Sequence, residues 1–217
     1  MKNVTTIILA AGKSTRIQSN KSKIFHEIAG RSLIEYVYEI AYKISQNKVI
    51  FVCNNTNINK ISEQFPKAKV VLQKKLIGTA DAIMSSKKIL NKNDNILILF
   101  GDSPLIEKKT VSKMIKNFKL LKKSGSVLVF KSKNPTGYGR VETLNSRIKK
   151  VTEEIYANET IKKINLCNSG VMICNQKFLF DNLIKIKNTN LKKEKYITDI
   201  FEVAYKLNKP FSYSICN

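Results

Sequence analysis

The run Val4 to Ala10, VTTIILA, constrains the fold more than any other feature of the chain. It is a continuous β-prone, mostly apolar stretch that stops abruptly at Ala11-Gly12. A strand with no polar alternation has both faces covered, which is the situation of a parallel strand sandwiched between helices. The run is too short for a signal-peptide core and far too short to span a membrane, so it reads as a first strand in a cytoplasmic chain with no membrane partner. The same grammar continues beyond Gly12. Ser32 and Glu35 form a capping box ahead of Leu33, Val37, Ile40, Ala41 and Ile44 at helical spacing. Residues 48 to 53 read as a strand, 58 to 65 as a helix, 69 to 73 as a strand, 79 to 90 as a helix, 96 to 100 as a strand and 111 to 121 as a helix. This alternation predicts an α/β, Rossmann-like doubly wound and mostly parallel sheet.

The grammar changes after Ser126. Shorter strands are expected at 127 to 131, 139 to 144, 148 to 153 and 170 to 174, helices at 177 to 186 and 196 to 207, and a closing strand at 211 to 215. A small mixed region therefore succeeds the parallel one. At 217 residues the chain suits a single domain, 1 to 217, with a first half of roughly 1 to 125 and a second of roughly 126 to 217.

Charge invites a nucleic-acid reading, since Lys and Arg number 39 against 16 Asp and Glu. Lysine supplies almost all of it, however, and arginine occurs only at Arg16, Arg31, Arg140 and Arg147. Bidentate recognition of phosphate and base edges favours arginine, so a Lys-, Asn- and Ile-rich composition explains the balance better than a nucleic-acid partner does. The positive field still suits polyanionic small substrates. Cys53, Cys167, Cys174 and Cys216 form no C-x-x-C pair, and His26 is the only histidine, which argues against zinc.

Ligands of open parallel sheets sit beyond the carboxyl ends of strands, so the chemistry is sought where apolar runs stop. After the first strand comes LAAGKSTR, residues 9 to 16, with Lys21 and Lys23 close behind: small residues and cations, the needs of a polyphosphate. Neither a dinucleotide fingerprint nor a Walker loop is present. Gly12 could equally serve a plain turn that needs an unusual backbone angle. The strand ending at Phe100 delivers Gly101-Asp102, and magnesium usually takes one or two protein carboxylates with phosphate and water completing its shell. As a lone acid, Asp102 also suits a turn or a helix cap.

The segments LAAGKSTR, Lys23, VLQ followed by Gly78-Thr79, FGDSPL, PTGYGR, TEE, NSG and YITDI occur in an order and at intervals that resemble the uridyltransferase domain of the bacterial bifunctional N-acetylglucosamine-1-phosphate uridyltransferases. That domain lies within the wider superfamily of sugar-phosphate nucleotidyltransferases and MobA-like NTP transferases. The resemblance implies a transfer of uridylyl from UTP to N-acetylglucosamine 1-phosphate, or a related sugar 1-phosphate, in cell-wall precursor synthesis, with Mg2+ as cofactor. By the same resemblance the backbone of Leu9, Ala10, Ala11 and Gly12, together with Gln73, Gly78 and Thr79, holds the uridine. Gln73 would offer both a donor and an acceptor to the pyrimidine edge. Arg16 and Lys23 would be catalytic through the triphosphate, with Lys23 also in the nucleotide set, and Asp102 would bind the metal. Phe100, Gly101, Asp102, Gly139, Glu153 and Asn168 would form the sugar set. His26 is assigned a structural role.

The sequence departs from that pattern at Ser14, where the family has a glycine, at Ser22, where it has a proline, and at Phe100, where it has a tyrosine. The β-helix acetyltransferase domain and the family's second metal ligand, an asparagine, lie outside the sequence, so uridylyl transfer is the only expected activity and a monomer the expected state. A nucleotidyltransferase with another base or acceptor, such as phosphocholine or molybdopterin, a non-catalytic nucleotide-sugar binder and a lysine-driven nucleic-acid binder are the alternatives that the residues leave open.

Overall fold

The computed structural model describes residues 3–12, 21–145, 147–187, 190–191 and 193–216. The described chain divides into two compact units, one of Met1–Lys108 with Lys187–Lys195, the other of Lys109–Ile186 with Tyr196–Asn217. The division falls earlier than the expected point near residue 125, and a late segment returns to the first unit. Lys195 explains the return: its N–H donates to the Ile77 carbonyl at 2.7 Å, and its carbonyl accepts from Ala80 N–H at 2.9 Å.

The first unit contains β1 (Val4–Leu9), the small hairpin β2 (Glu27–Ile28) and β3 (Arg31–Ser32), α1 (Leu33–Ser45), β4 (Val49–Cys53), α2 (Ile58–Gln64), β5 (Lys69–Leu72), α3 (Thr79–Ser85) and β6 (Asn95–Phe100). Its large strands run parallel in the order β6-β1-β4-β5. Every residue of β1 is buried, as an unalternating run requires. Helix α1 starts where its capping pair lies, the Glu35 carboxylate accepting from Ser32 N–H at 2.7 Å. Tyr38, Phe51 and Phe65 form an aromatic cluster, with ring centroids 4.6 to 5.7 Å apart. Helix α3 is shorter than expected, closing at Ser85 and giving way to a 3-10 turn over Lys87–Ile89. Ser85 and Ser86 hydroxyls donate back to the Asp81 and Ile83 carbonyls, the local competition that makes serine a poor helix interior.

The second unit contains α4 (Lys108–Leu121, its first residue in the other unit), β7 (Gly125–Lys131), β8 (Arg140–Leu144), β9 (Arg147–Thr152), α5 (Glu159–Lys162), β10 (Leu166–Asn175), α6 (Gln176–Leu183), α7 (Asp199–Lys206) and β11 (Ser212–Ile215). Strand β7 pairs parallel with β11 and antiparallel with β10, while β8 pairs antiparallel with both β9 and β10. This is the mixed region expected from the sequence. Strand β10 is longer than the expected 170 to 174 because it continues across an irregularity between Asn168 and Met172, where the pairing with β7 shifts register. Helix α6 stops at Leu183, short of the expected 186, and α7 begins at Asp199 with Thr198 as its cap, not at 196. The fold is mixed α/β with a mostly parallel central sheet, and no helix among the described residues is long and apolar enough to cross a membrane.

Candidate active site

In the first unit, the chain runs from β1 outward to β4 and β5 on one side, whereas β6 lies on the other side of β1. The order reverses between β1 and β6, the position where open α/β sheets bind ligands beyond their strand ends. Gly101 N–H donates to the Leu9 carbonyl at 2.9 Å there, fixing the two exits against each other. A Cβ on Gly101 would lie 3.2 Å from that carbonyl and 3.3 Å from Ile24, so the position has little spare room.

Directly beyond, Lys23 Nζ and Asp102 Oδ2 are paired at 2.9 Å, both side chains half-exposed. Buried Ile24 and Phe25 anchor the 3-10 turn that carries Lys23. Ser22, which precedes it, has φ −56° and ψ 138°, and its hydroxyl is buried without a partner among the described residues. Those angles are ones that proline adopts. Arg16, with the rest of 13–20, lies outside the described residues, so its expected role has no geometry here. His26 touches the Lys21 carbonyl through Nε2 at 3.3 Å, an exposed contact within its own loop.

The loop after β1 is tied down by two residues that sequence reasoning missed. Buried Asn57 donates through Nδ2 to the Ala10 carbonyl at 2.7 Å, and buried Asn54 donates to the Ala11 carbonyl at 3.1 Å. Asn54 Oδ1 in turn accepts from Thr56 N–H, the Thr56 hydroxyl and Asn57 N–H, and Asn57 Oδ1 accepts from Asn54 N–H. Ala10 N–H is also engaged, donating to Val52 at 2.9 Å. Ala11 and Gly12 N–H have no partner among the described residues. Gly12 has no left-handed backbone angle, and a Cβ there would meet no described atom within 4 Å. Neither a left-handed backbone angle nor a contact with the described residues calls for a glycine at this position.

Gln73 comes after β5 and is buried, its N–H held by the Cys53 carbonyl at 2.8 Å. Its Nε2 donates to the Gly78 carbonyl at 3.1 Å and to Asp81 Oδ2 at 2.9 Å. The expectation of both a donor and an acceptor facing a base is thereby corrected: both donors point into the protein, and only Oε1 is without a partner among the described residues. Gly78 has φ +112°, and a Cβ on it would fall 2.4 Å from the Lys195 carbonyl oxygen, so only glycine fits. Thr79 is the first residue of α3. From Asp102 beyond β6 to Gln73 beyond β5 are three interstrand steps of about 4.8 Å, about 14 Å in all, on the scale of an extended nucleoside triphosphate.

In the second unit, Gly139, Glu153 and Asn168 lie close together. A Cβ on Gly139 would lie 3.1 Å from Val151 and 3.4 Å from Glu153 Oε2, so the carboxylate lies alongside the glycine. Glu153 Oε1 accepts from the Thr198 hydroxyl at 2.9 Å, and Asn168 N–H donates to the Gly139 carbonyl at 2.9 Å. Asn168 Oδ1 accepts from Gly170 N–H at 3.0 Å, which turns its Nδ2 donor away from that turn. Behind them Arg140, almost wholly buried, pairs with Glu154 at 2.7 Å and donates to the Tyr138 carbonyl, and Glu154 also accepts from Gly137 N–H at 3.1 Å. Arg140 holds the Glu154 carboxyl below the usual glutamate range, with the Gly137 N–H adding to it. Burial, with Glu202 and Glu153 nearby, pushes Asp199 the other way. Phe100, expected in the sugar set, belongs to the first unit and pairs with Leu9 in the sheet.

Residues 6–164 match the family described as MobA-like NTP transferase domain. The chain belongs to that family. It is accordingly a nucleotidyltransferase. Curated relatives include the bifunctional protein GlmU of Buchnera aphidicola subsp. Schizaphis graminum, 38% identical over 94% of this chain and 44% of the relative. Those of Bartonella bacilliformis, 37% identical over 96% of this chain and 47% of the relative, and of Fervidobacterium nodosum, 34% identical over 91% and 43%, are similar too. The chain thus spans less than half the length of these relatives. Among solved structures, one described as a glucose-1-phosphate thymidylyltransferase from Bacillus anthracis, in complex with sucrose, superposes with a TM-score of 0.83 at 17% identity, covering 99% of this chain and 87% of that one. That likeness is one of fold.

Proposed function

We propose that this MobA-like transferase moves a uridylyl group from UTP to N-acetylglucosamine 1-phosphate or a close sugar 1-phosphate. The observation that carries the reading is the line of strand ends in the first unit. A cation and a carboxylate meet at one end, Lys23 with Asp102 at 2.9 Å, and a base-reading amide, Gln73, stands at the other. Between them the Ala11 and Gly12 N–H groups have no partner among the described residues, and donors of that kind suit the carbonyls of a pyrimidine and the first phosphate.

The reaction needs no covalent intermediate. A sugar 1-phosphate oxygen attacks the α-phosphorus of UTP in line, the new P–O bond forms as the bond to the β-phosphate bridging oxygen breaks, and pyrophosphate leaves. The attacking phosphate is already ionised at neutral pH, so the protein's part is alignment and charge neutralisation. Lys23 supplies a cation to the triphosphate. Asp102 is a half-exposed carboxylate at a strand end, and no group of three or more acidic, histidine or cysteine side chains suited to a metal occurs among the described residues. That donor set fits Mg2+ shared with substrate phosphates and does not fit a closed protein cage. Bound there, the ion would neutralise charge on the phosphates. Glu153 as acceptor and Asn168 as donor suit sugar hydroxyls and an N-acetyl group. A cytoplasmic location accords with this chemistry, since both substrates are phosphorylated and confined by membranes.

The test is pyrophosphate release from UTP, Mg2+ and N-acetylglucosamine 1-phosphate, run beside other sugar 1-phosphates. Turnover with hexosamine 1-phosphates supports the reading, and absence of turnover with every sugar phosphate contradicts it.

A further inference from the structure

We infer that Asp81 is a specificity-determining residue, locking the Gln73 amide so that the site accepts bases carrying an imide N–H, uracil or thymine, and rejects cytosine. The inference rests on the nucleotide reading above and deepens it.

A glutamine amide offers two donors on nitrogen and an acceptor on oxygen, and its orientation is set by what surrounds it. Gln73 has two inward neighbours, the Gly78 carbonyl at 3.1 Å and Asp81 Oδ2 at 2.9 Å. A carbonyl and a carboxylate can only accept. A flipped amide would set Oε1 against two oxygens, one of them charged, and would leave three buried or half-buried acceptors facing one another. The nitrogen therefore stays inward, and Oε1 is the polar atom left for a ligand. The backbone cannot relieve the constraint by moving, because Gln73 N–H is held by Cys53 and the Gly78 segment is held by Lys195 on both sides.

An outward acceptor discriminates between pyrimidines. Uracil and thymine carry N3–H between two carbonyls, and that hydrogen can be donated to Oε1. Cytosine carries a lone pair at N3, so the same approach sets two acceptors against each other. A site built around a hydrogen bond discriminates strongly against a ligand that cannot make it.

Asp81→Asn keeps the shape and replaces the charged acceptor by an amide able to donate. Gln73 is then free to turn its nitrogen outward, opposed only by the Gly78 carbonyl, so selectivity should relax without inverting. The experiment measures equilibrium binding of UTP and CTP, each with Mg2+, to the native protein, Asp81→Asn and Gln73→Ala, together with thermal unfolding of each. The native protein should prefer UTP by about tenfold or more, the scale of one lost hydrogen bond with its partner left unpaired. Asp81→Asn should lower that preference at least about threefold, mainly through better CTP binding, and Gln73→Ala should nearly abolish it. A loss of affinity for both nucleotides in parallel, with the ratio kept, would assign Asp81 a merely structural part and overturn the inference. Equal native affinity for UTP and CTP would overturn it as well, while leaving the nucleotide site standing. Failure of the native, folded protein to bind either nucleotide would remove both this inference and the reading beneath it.

Discussion

The two units hold their functional groups by different physics. In the first, the groups stand where parallel strands end, and hydrogen bonds fix them: Asn57 on the Ala10 carbonyl, Asn54 on the Ala11 carbonyl, and Asp81 with Gly78 on the Gln73 amide. In the second, an ion pair between the buried Arg140 and the partly exposed Glu154 does the fixing, below a loop whose Gly139 lies against Glu153. Hydrogen-bonded carbonyls lose little as pH or salt changes. A buried guanidinium depends on its counter-charge, so the Arg140 site should be sensitive to acid and to single charge changes.

Gly78→Ala should produce the largest effect and breaks the first half of the comparison at its tightest point. Its Cβ would overlap the Lys195 backbone at φ +112°, for which about 3 kcal/mol or more of stability should be lost in urea unfolding, with nucleotide binding lost alongside. Gly12→Ala is the contrast within the same unit. No described atom opposes that Cβ, so stability should change by no more than about 0.5 kcal/mol, whereas the KM for UTP should rise about tenfold. If both variants unfold alike, the proposed part of Gly12 in nucleotide binding is wrong.

In the second unit, Glu154→Gln leaves Arg140 buried without its partner, and should lower the melting temperature more than Arg140→Met, which removes the buried charge itself. Either change should raise the KM for sugar 1-phosphate more than that for UTP. The same pair sets a pH dependence. The folded-state value of Glu154 is depressed, so its contribution is present above the unfolded glutamate value of about 4.3 and is lost as pH falls below it toward the lowered value. The acid limb of a melting-temperature profile should flatten in Glu154→Gln. Asp199 is shifted upward and acts in the opposite sense, its contribution present at low pH and lost as pH rises through its raised value. The smallest expected effect is a gain: Ser22→Pro, at φ −56° and with removal of a buried hydroxyl that has no partner among the described residues, should stabilise by about 0.5 to 1 kcal/mol.

The same contrast decides how much could be read from the sequence. Strands announce themselves through unbroken apolar runs, so the parallel half and the strand-end residues Gly12 and Asp102 were legible from periodicity and punctuation, whereas Gln73 stood out only through the family resemblance. The bonds that aim those residues were not. Asn54 and Asn57 reach Ala11 and Ala10 across 43 and 47 residues, and Lys195 clasps Gly78 from far along the chain. Asparagine in a turn-rich segment reads as a loop residue, and nothing local marks it as a clamp. Helix ends were misread for a related reason: Ser85 and Ser86 close α3 through side-chain bonds that periodicity does not register. Burial of Arg140 had no local signal, since an arginine in a glycine-rich turn ordinarily lies in solvent.

The central claim, that the Lys23–Asp102 end of the first unit serves nucleotidyl transfer, is tested most directly by pyrophosphate release from UTP, Mg2+ and N-acetylglucosamine 1-phosphate, comparing the native chain with Asp102→Ala. Turnover by the native protein that falls about 100-fold or more in the variant, with UTP still bound, is the expected result. Equal turnover in the two proteins would contradict the assignment of Asp102, and silence in both, with UTP bound, would contradict the proposed reaction.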